Sequence, residues 1–178
     1  MMLIDAHTGL RTGFYRRPPA YDIRPDELDR AVITSGRLLH VDGVDTAAAA
    51  LAVGWAREAG LRITMDGERV VEGIDRVWPG VDLPACNPGS SLQVTGRAEL
   101  EDGLRALAAR GPGRVAATLA AERRDRPRGG RVIRAPGFPV SVVDTNGAGD
   151  VFHGPAPSAS CAAGPSSGRS CSPTPWRP

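Results

Sequence analysis

Lysine is absent from this 178-residue chain, and all 22 basic residues are arginine. The arginines are scattered among 20 acidic residues and leave a formal net charge of +2, so no basic stripe marks a nucleic-acid surface. Coding bias toward GC-rich codons accounts for the arginine, alanine, glycine and proline content without invoking a partner. Aromatic residues are scarce as well. Three cysteines, Cys86, Cys161 and Cys171, form no C-x-x-C pair and leave an odd thiol. That excludes a disulfide framework and a zinc site of the usual spacing. No apolar run approaches a membrane span. The opening Met1-Met2-Leu3-Ile4-Asp5-Ala6-His7 lacks the basic start and long apolar stretch of an export signal, so the cytoplasm is the expected location. Neither a Ser-His-Asp arrangement nor an activating setting for a cysteine is visible.

The length suffices to bury one core, and the hydrophobic share of 41% is that of a globular protein. Residues 1–17 read as two short strands around a turn at His7-Thr8-Gly9. Arg24-Pro25-Asp26-Glu27-Leu28 reads as a helix start, with proline in the first turn and acids at the positive end of the dipole. Leu38-Leu39-His40-Val41 is a short strand ending in Asp42-Gly43. A helix is expected between Asp45 and Gly60, with Ala47, Leu51, Trp55 and Ala59 along one side and Asp45 or Thr46 capping its start. Leu61 to Asp66 is the next strand. A second helix is expected from about Ala98 to Arg110, carrying Leu100, Leu104, Leu107 and Ala108, and Val115 to Leu119 is a further strand. This alternation predicts right-handed βαβ crossovers and a mainly parallel sheet. Ligands in such sheets gather at the carboxyl ends of strands, where Asp42, Asp66, Thr118 and residues 144–150 fall.

The most informative stretch is Asp144-Thr145-Asn146-Gly147-Ala148-Gly149-Asp150, after the apolar run Phe138-Pro139-Val140-Ser141-Val142-Val143. Glycines at 147 and 149 permit positive φ and close approach of an anion. A helix beginning here would aim unpaired amides and its positive dipole end at that anion. Asp150 then lies where it can take a proton from a hydroxyl that attacks phosphorus. A phosphate cradle beside a general base is the core of a phosphoryl transferase.

The string, continued by Val151-Phe152-His153-Gly154, resembles the D-T-x-G-A-G-D-x-F-x-G signature of the ribokinase-like (PfkB) carbohydrate kinases. The resemblance implies an α/β fold, with a mainly parallel sheet and flanking helices, incomplete at both ends. It implies transfer of a phosphoryl group from ATP, with Mg2+, to a hydroxyl of a sugar-like small molecule. Asp150 would be the catalytic base, and the amides of Gly147, Ala148 and Gly149 an anion hole. Thr145 would lie by the nucleotide phosphates, Asp144 near a monovalent cation in members that use one, and Asn87 in the magnesium motif. Thr118-Leu119 is similar to the start of the family's T-L-G turn at the nucleotide site. The likeness extends over residues 1–154; residues 155–178, rich in proline and serine, are expected to form a disordered tail. His153 is expected at the surface, and His40 as a satisfied polar group. Asp66 and Glu68 are expected in ordinary strand-end turn chemistry.

Three departures from the family pattern shape the expectations. The family's early strands, a G-G-x-x-x-N-type turn and most sugar-contacting side chains have no counterpart, which leaves an open strand edge suited to a homodimer. In N-x-x-E, whose Glu helps hold hydrated magnesium, Asn87-Pro88-Gly89-Ser90 carries Ser; Ala120 replaces the glycine of T-L-G. Residues 122–128 read as a solvated charge run where an apolar strand is expected. Pro155 and Pro157 forbid continuation of the motif helix, at about 3 kcal/mol or more each in a helix interior. The composition change suggests a reading-frame disruption near residue 154, so the alternative to an active kinase is a truncated or frame-disrupted, inactive remnant of one.

Overall fold

The computed structural model describes residues 1–5, 7, 11–119, 124–128, 131–135 and 145–154. Asp144, Ala120, the apolar run at 138–143, and the expected tail with Cys161 and Cys171 lie outside the described residues.

Strands β1 (Met2–Ile4) and β2 (Arg11–Gly13) form the expected antiparallel hairpin, with Met2 opposite Gly13. The Met1 ammonium donates to the Phe14 carbonyl at 3.0 Å and prolongs the ladder. The helix start expected at residues 24–28 is only a 3-10 turn, Pro25–Glu27. Helix α1 (Arg30–Thr34) begins later, because the Asp29 carboxylate accepts from the amides of Ala31 and Val32 and fixes the N-terminus there.

Strand β3 (Leu38–Val41) leads through Gly43, at φ 67°, into helix α2 (Thr46–Glu58). A side chain at Gly43 would run into Met65 and Ile74, so position 43 requires glycine on two counts. Neither expected cap serves α2: Asp45 pairs with Arg17, and the Thr46 hydroxyl donates to the Glu72 carbonyl at 2.9 Å. The buried side of α2 is Ala48, Ala52, Val53 and Ala56, one residue out of phase with the expected face. Alanine on every side of this helix leaves its periodicity degenerate. Strand β4 (Arg62–Asp66) follows, then 3-10 turns at Ile74–Arg76 and Trp78–Gly80.

Strand β5 (Leu83–Cys86), helix α3 (Pro88–Thr95), helix α4 (Leu100–Ala109) and strand β6 (Ala116–Thr118) complete a parallel array β3-β4-β5-β6. The charge run at 124–128 forms strand β7 (Arg124–Arg128), antiparallel to β6 and to β8 (Arg131–Ala135). Helix α5 (Ala148–His153) carries the motif. The core joins Val53 and Ala56, Ile63 and Met65, Val77, Trp78 and Val81, Leu104 and Leu107, and Val115 and Ala117.

Two glycines test this packing. A Cβ at Gly67 would sit 2.8 Å from the Trp78 ring and 3.2 Å from the Ala85 carbonyl, whereas one at Gly54, within α2, meets nothing within 4 Å. Urea denaturation of G67A is expected to show a loss of about 1–3 kcal/mol from overpacking. G54A is expected to gain about 0.5–1 kcal/mol from helix propensity. Equal effects at the two positions would contradict the packing described.

Candidate functional site

Strand alternation decides which side chains reach the site. In β4, Ile63 and Met65 enter the core, while Thr64 and Asp66 share the opposite face. In β3, Leu39 and Val41 pack on the core and His40, paired in register with Thr64, faces the other way. His40 Nδ1 and Thr64 Oγ1 share a hydrogen bond at 2.8 Å, so His40 is satisfied as expected. Just beyond these strands a cleft of about 360 Å³ opens at the carboxyl end of the sheet. Asp42, Asp66 and Glu68 line it beside Asn146, Gly149 and Asp150 of the motif, with Tyr15, Arg17 and Arg69 completing the polar wall.

The motif turn is built by its glycine. Gly147 takes φ 77° as the N-cap of α5, and the Ala148 amide closes the turn on the Thr145 carbonyl at 3.2 Å. Of the amides expected to form an anion hole, that of Ala148 is therefore directed at Thr145 in this structure. The Asp150 carboxylate lies back over the turn, 3.8 Å from where a Gly147 Cβ would stand. Glu68 Oε1 is 3.4 Å from the corresponding point on Gly149, so the β4 end and the motif are in contact.

Other expected site residues fall elsewhere. Asn87 accepts from the Ser90 amide at 2.8 Å and donates to the Glu68 carbonyl at 3.3 Å, so its side chain serves as the cap of α3. Thr118 ends β6 and is not among the described residues lining the cleft. Thr145 precedes the motif turn and is exposed. Asp144 lies outside the described residues. Cys86 is buried and its thiol is pushed up to about 12, chiefly by burial, against a smaller opposing hydrogen bond from Ser90. It is not a nucleophile.

Tyr15, Arg17 and Arg69 escaped sequence reasoning. Arg69 stacks on Tyr15, 4.9 Å from the ring centroid, and Arg17 is held by Asp45 at 2.6 Å and Asp22 at 3.2 Å. A sequence signal existed for Arg69, since Gly67-Glu68-Arg69 puts two charged residues just past the Asp66 end of a strand. His153 was misjudged. Its side chain is only 12% exposed, with Nε2 3.5 Å from Asp66 Oδ2 and its ring 5.1 Å from that of His40.

Residues 2–160 match the pfkB family of carbohydrate kinases. The chain belongs to this family. Similar solved structures include a protein from Agrobacterium tumefaciens assigned as a ribokinase, 24% identical with a TM-score of 0.76, covering 86% of this chain and 51% of that one. A protein from E. coli assigned as ribokinase II, solved with ATP and Mg2+, is 19% identical with a TM-score of 0.68, covering 80% and 51%. Adenosine kinase from Sinorhizobium meliloti is 21% identical with a TM-score of 0.63, covering 74% and 44%. At such identities the likeness is one of fold, and it bears out the ribokinase-like α/β sheet. The chain spans about half the length of these structures.

The histidine and carboxylate pair has a pH signature. Burial, then the neighbouring His153, hold His40 below its ordinary value of 6.5. Burial alone would raise Asp66, but the hydrogen bond and charge of His153 and the Glu68 amide outweigh it, leaving the carboxyl below its ordinary 3.8. Both folded values are depressed, so each group contributes stability that is present above its unfolded value. That stability is lost as pH falls through the folded one. Urea midpoints measured from about pH 8 to about pH 5 are expected to decline once pH drops below the ordinary histidine value. In H40N that part of the decline is expected to flatten; an unchanged slope would refute the assignment.

Proposed function

We propose that this chain's site carries out phosphoryl transfer from ATP to a hydroxyl of a sugar or sugar-like small molecule. One observation carries the reading: an unbroken D-T-x-G-A-G-D-x-F-x-G string whose Asp150 opens onto the cleft at the carboxyl end of the parallel sheet. Asp150 is the general base, taking the acceptor's proton as the hydroxyl attacks the γ-phosphorus. Gly147 and Gly149 add no side chains to the turn, so their own amides are the ones that could meet the charge that develops on the phosphoryl oxygens. Thr145 and Thr118 are assigned to the nucleotide side, and Asp144 to a monovalent cation.

The donors present suit magnesium. Glu68 supplies a hard oxygen ligand in the cleft, and Mg2+ asks for only one or two carboxylates when phosphates and water complete its shell. No group of three or more His, Cys, Asp or Glu side chains able to hold a metal occurs among the described residues. When bound, the ion would offset phosphate charge. No helix among the described residues is long and apolar enough to cross a membrane.

A second reading, a family member without turnover, is favoured by position 90. The N-x-x-E glutamate is here Ser90, 4% exposed, whose hydroxyl donates to the Asn87 carbonyl at 3.0 Å. It has no charge to offer a hydrated cation.

ATP consumption by the full chain, measured with a panel of sugars and sugar acids, distinguishes the two. Turnover that falls about 10²–10⁴-fold in D150A supports the kinase. Equal, negligible rates in parent and variant support the inactive reading.

A further inference from the structure

We propose that His153 is a positioning residue: it locks α5, and with it Asp150, to the end of β4 through Asp66. Helix α5 has six residues, well short of the length at which an isolated helix holds together in water. Its placement must come from tertiary contacts. Beside the approach of Glu68 to Gly149, one side chain of α5 reaches both β3 and β4. His153 presents Nε2 to Asp66 Oδ2 at 3.5 Å, and its ring lies 5.1 Å from His40 and 5.8 Å, edge on, from Phe152.

The receiving end is itself fixed. Asp66 accepts from the Glu68 amide at 3.1 Å, and His40 is anchored by Thr64. Side-chain exposures of 12% for His153 and 21% for Asp66 place the contact where water competes weakly. His153 lies three residues after Asp150, close to one helical turn, so a shift of the ring carries the base with it. A misplacement of about 1 Å is enough to cost on the order of 10²-fold in rate. His153 touches no reacting atom in this scheme and acts through the helix.

The inference rests on the phosphoryl-transfer reading only for its kinetic arm, and hydrogen exchange tests it without turnover. The reporter is the Val151 amide, which donates to the Gly147 carbonyl at 2.9 Å inside α5. In H153L, Val151 exchange is expected to accelerate at least ~10-fold while amides of β4 and α2 keep their protection. H153Q, whose amide nitrogen stands where Nε2 stood, is expected to restore most of the protection. D66N is expected to accelerate Val151 alone, and D66N combined with H153L to add little beyond either change.

Where the parent turns over, H153L is expected to lower kcat roughly 10- to 100-fold with KM for ATP within about 3-fold, and H153Q to recover it. Unchanged Val151 exchange in H153L, equal loss in H153Q and H153L, or additive effects with D66N would each overturn the proposal. So would an unchanged kcat in an H153L enzyme whose parent is active. A parent without turnover counts against the phosphoryl-transfer reading, and exchange then decides the lock by itself.

Discussion

Strand β4 is covered on both faces, and the two faces ask for different chemistry. Ile63 and Met65 are fully buried in the core with Val53, Ala56 and Trp78, while Thr64 and Asp66 point to the side that α5 approaches. A buried polar row survives only if each member finds a partner. Thr64 finds His40 on the adjacent strand, and Asp66 finds the Glu68 amide and His153. The sheet thus delivers a carboxylate to its own carboxyl end and a reason for the motif helix to dock there.

This division makes the motif's location a property of the sheet as much as of the motif. Glycine at 147 gives the turn its positive φ, but a turn and six helical residues have little cohesion of their own. Their position is inherited from β3 and β4. The core beneath is tight where the chain reverses over it: Gly67 passes between the Trp78 ring and the Ala85 carbonyl, to which its amide donates at 2.6 Å. Trp78 is 1% exposed, and its indole N–H has no partner among the described residues. Its retention there costs about 1–3 kcal/mol in lost hydration. The same ring packs directly under Gly67, between Asp66 and Glu68.

Much of this was legible in the sequence. The motif string fixed the family, and the strand ends at Asp42 and Asp66 placed the polar rim correctly. β5 was invisible because Leu83-Pro84-Ala85-Cys86 has neither alternation nor tolerance for proline by the usual reading, yet Pro84 pairs in register with Met65. Helix α3 was hidden for a related reason: Asn87-Pro88 looked like a ligand motif, when it is a cap followed by proline at the first helical position. The phase of α2 was lost to alanine on all sides. β7 was missed because five residues that include three arginines carry no hydrophobic period; backbone pairing with β6 and β8 defines it. His153 was misplaced because a variable motif position says nothing of its neighbours. The alternation Leu39-His40-Val41-Asp42 against Ile63-Thr64-Met65-Asp66 held the clue, since it predicts a polar face awaiting a polar partner.

Charge balance links the site's architecture to the chemistry proposed for it. Four carboxylates, Asp42, Asp66, Glu68 and Asp150, face two guanidiniums in one cleft. Arg17 is committed to Asp45 and Asp22, which bridges the segment after the hairpin to the start of α2 and spends its charge on structure. Arg69 stacks on Tyr15 and is the remaining cation of the described wall. On the proposed chemistry, a triphosphate entering this field would meet net repulsion unless a divalent ion entered with it, and the carboxylates that repel phosphates would be those that receive the ion. In that scheme, the carboxylates that would repel a bare nucleotide are the ones that would favour its metal-bound form.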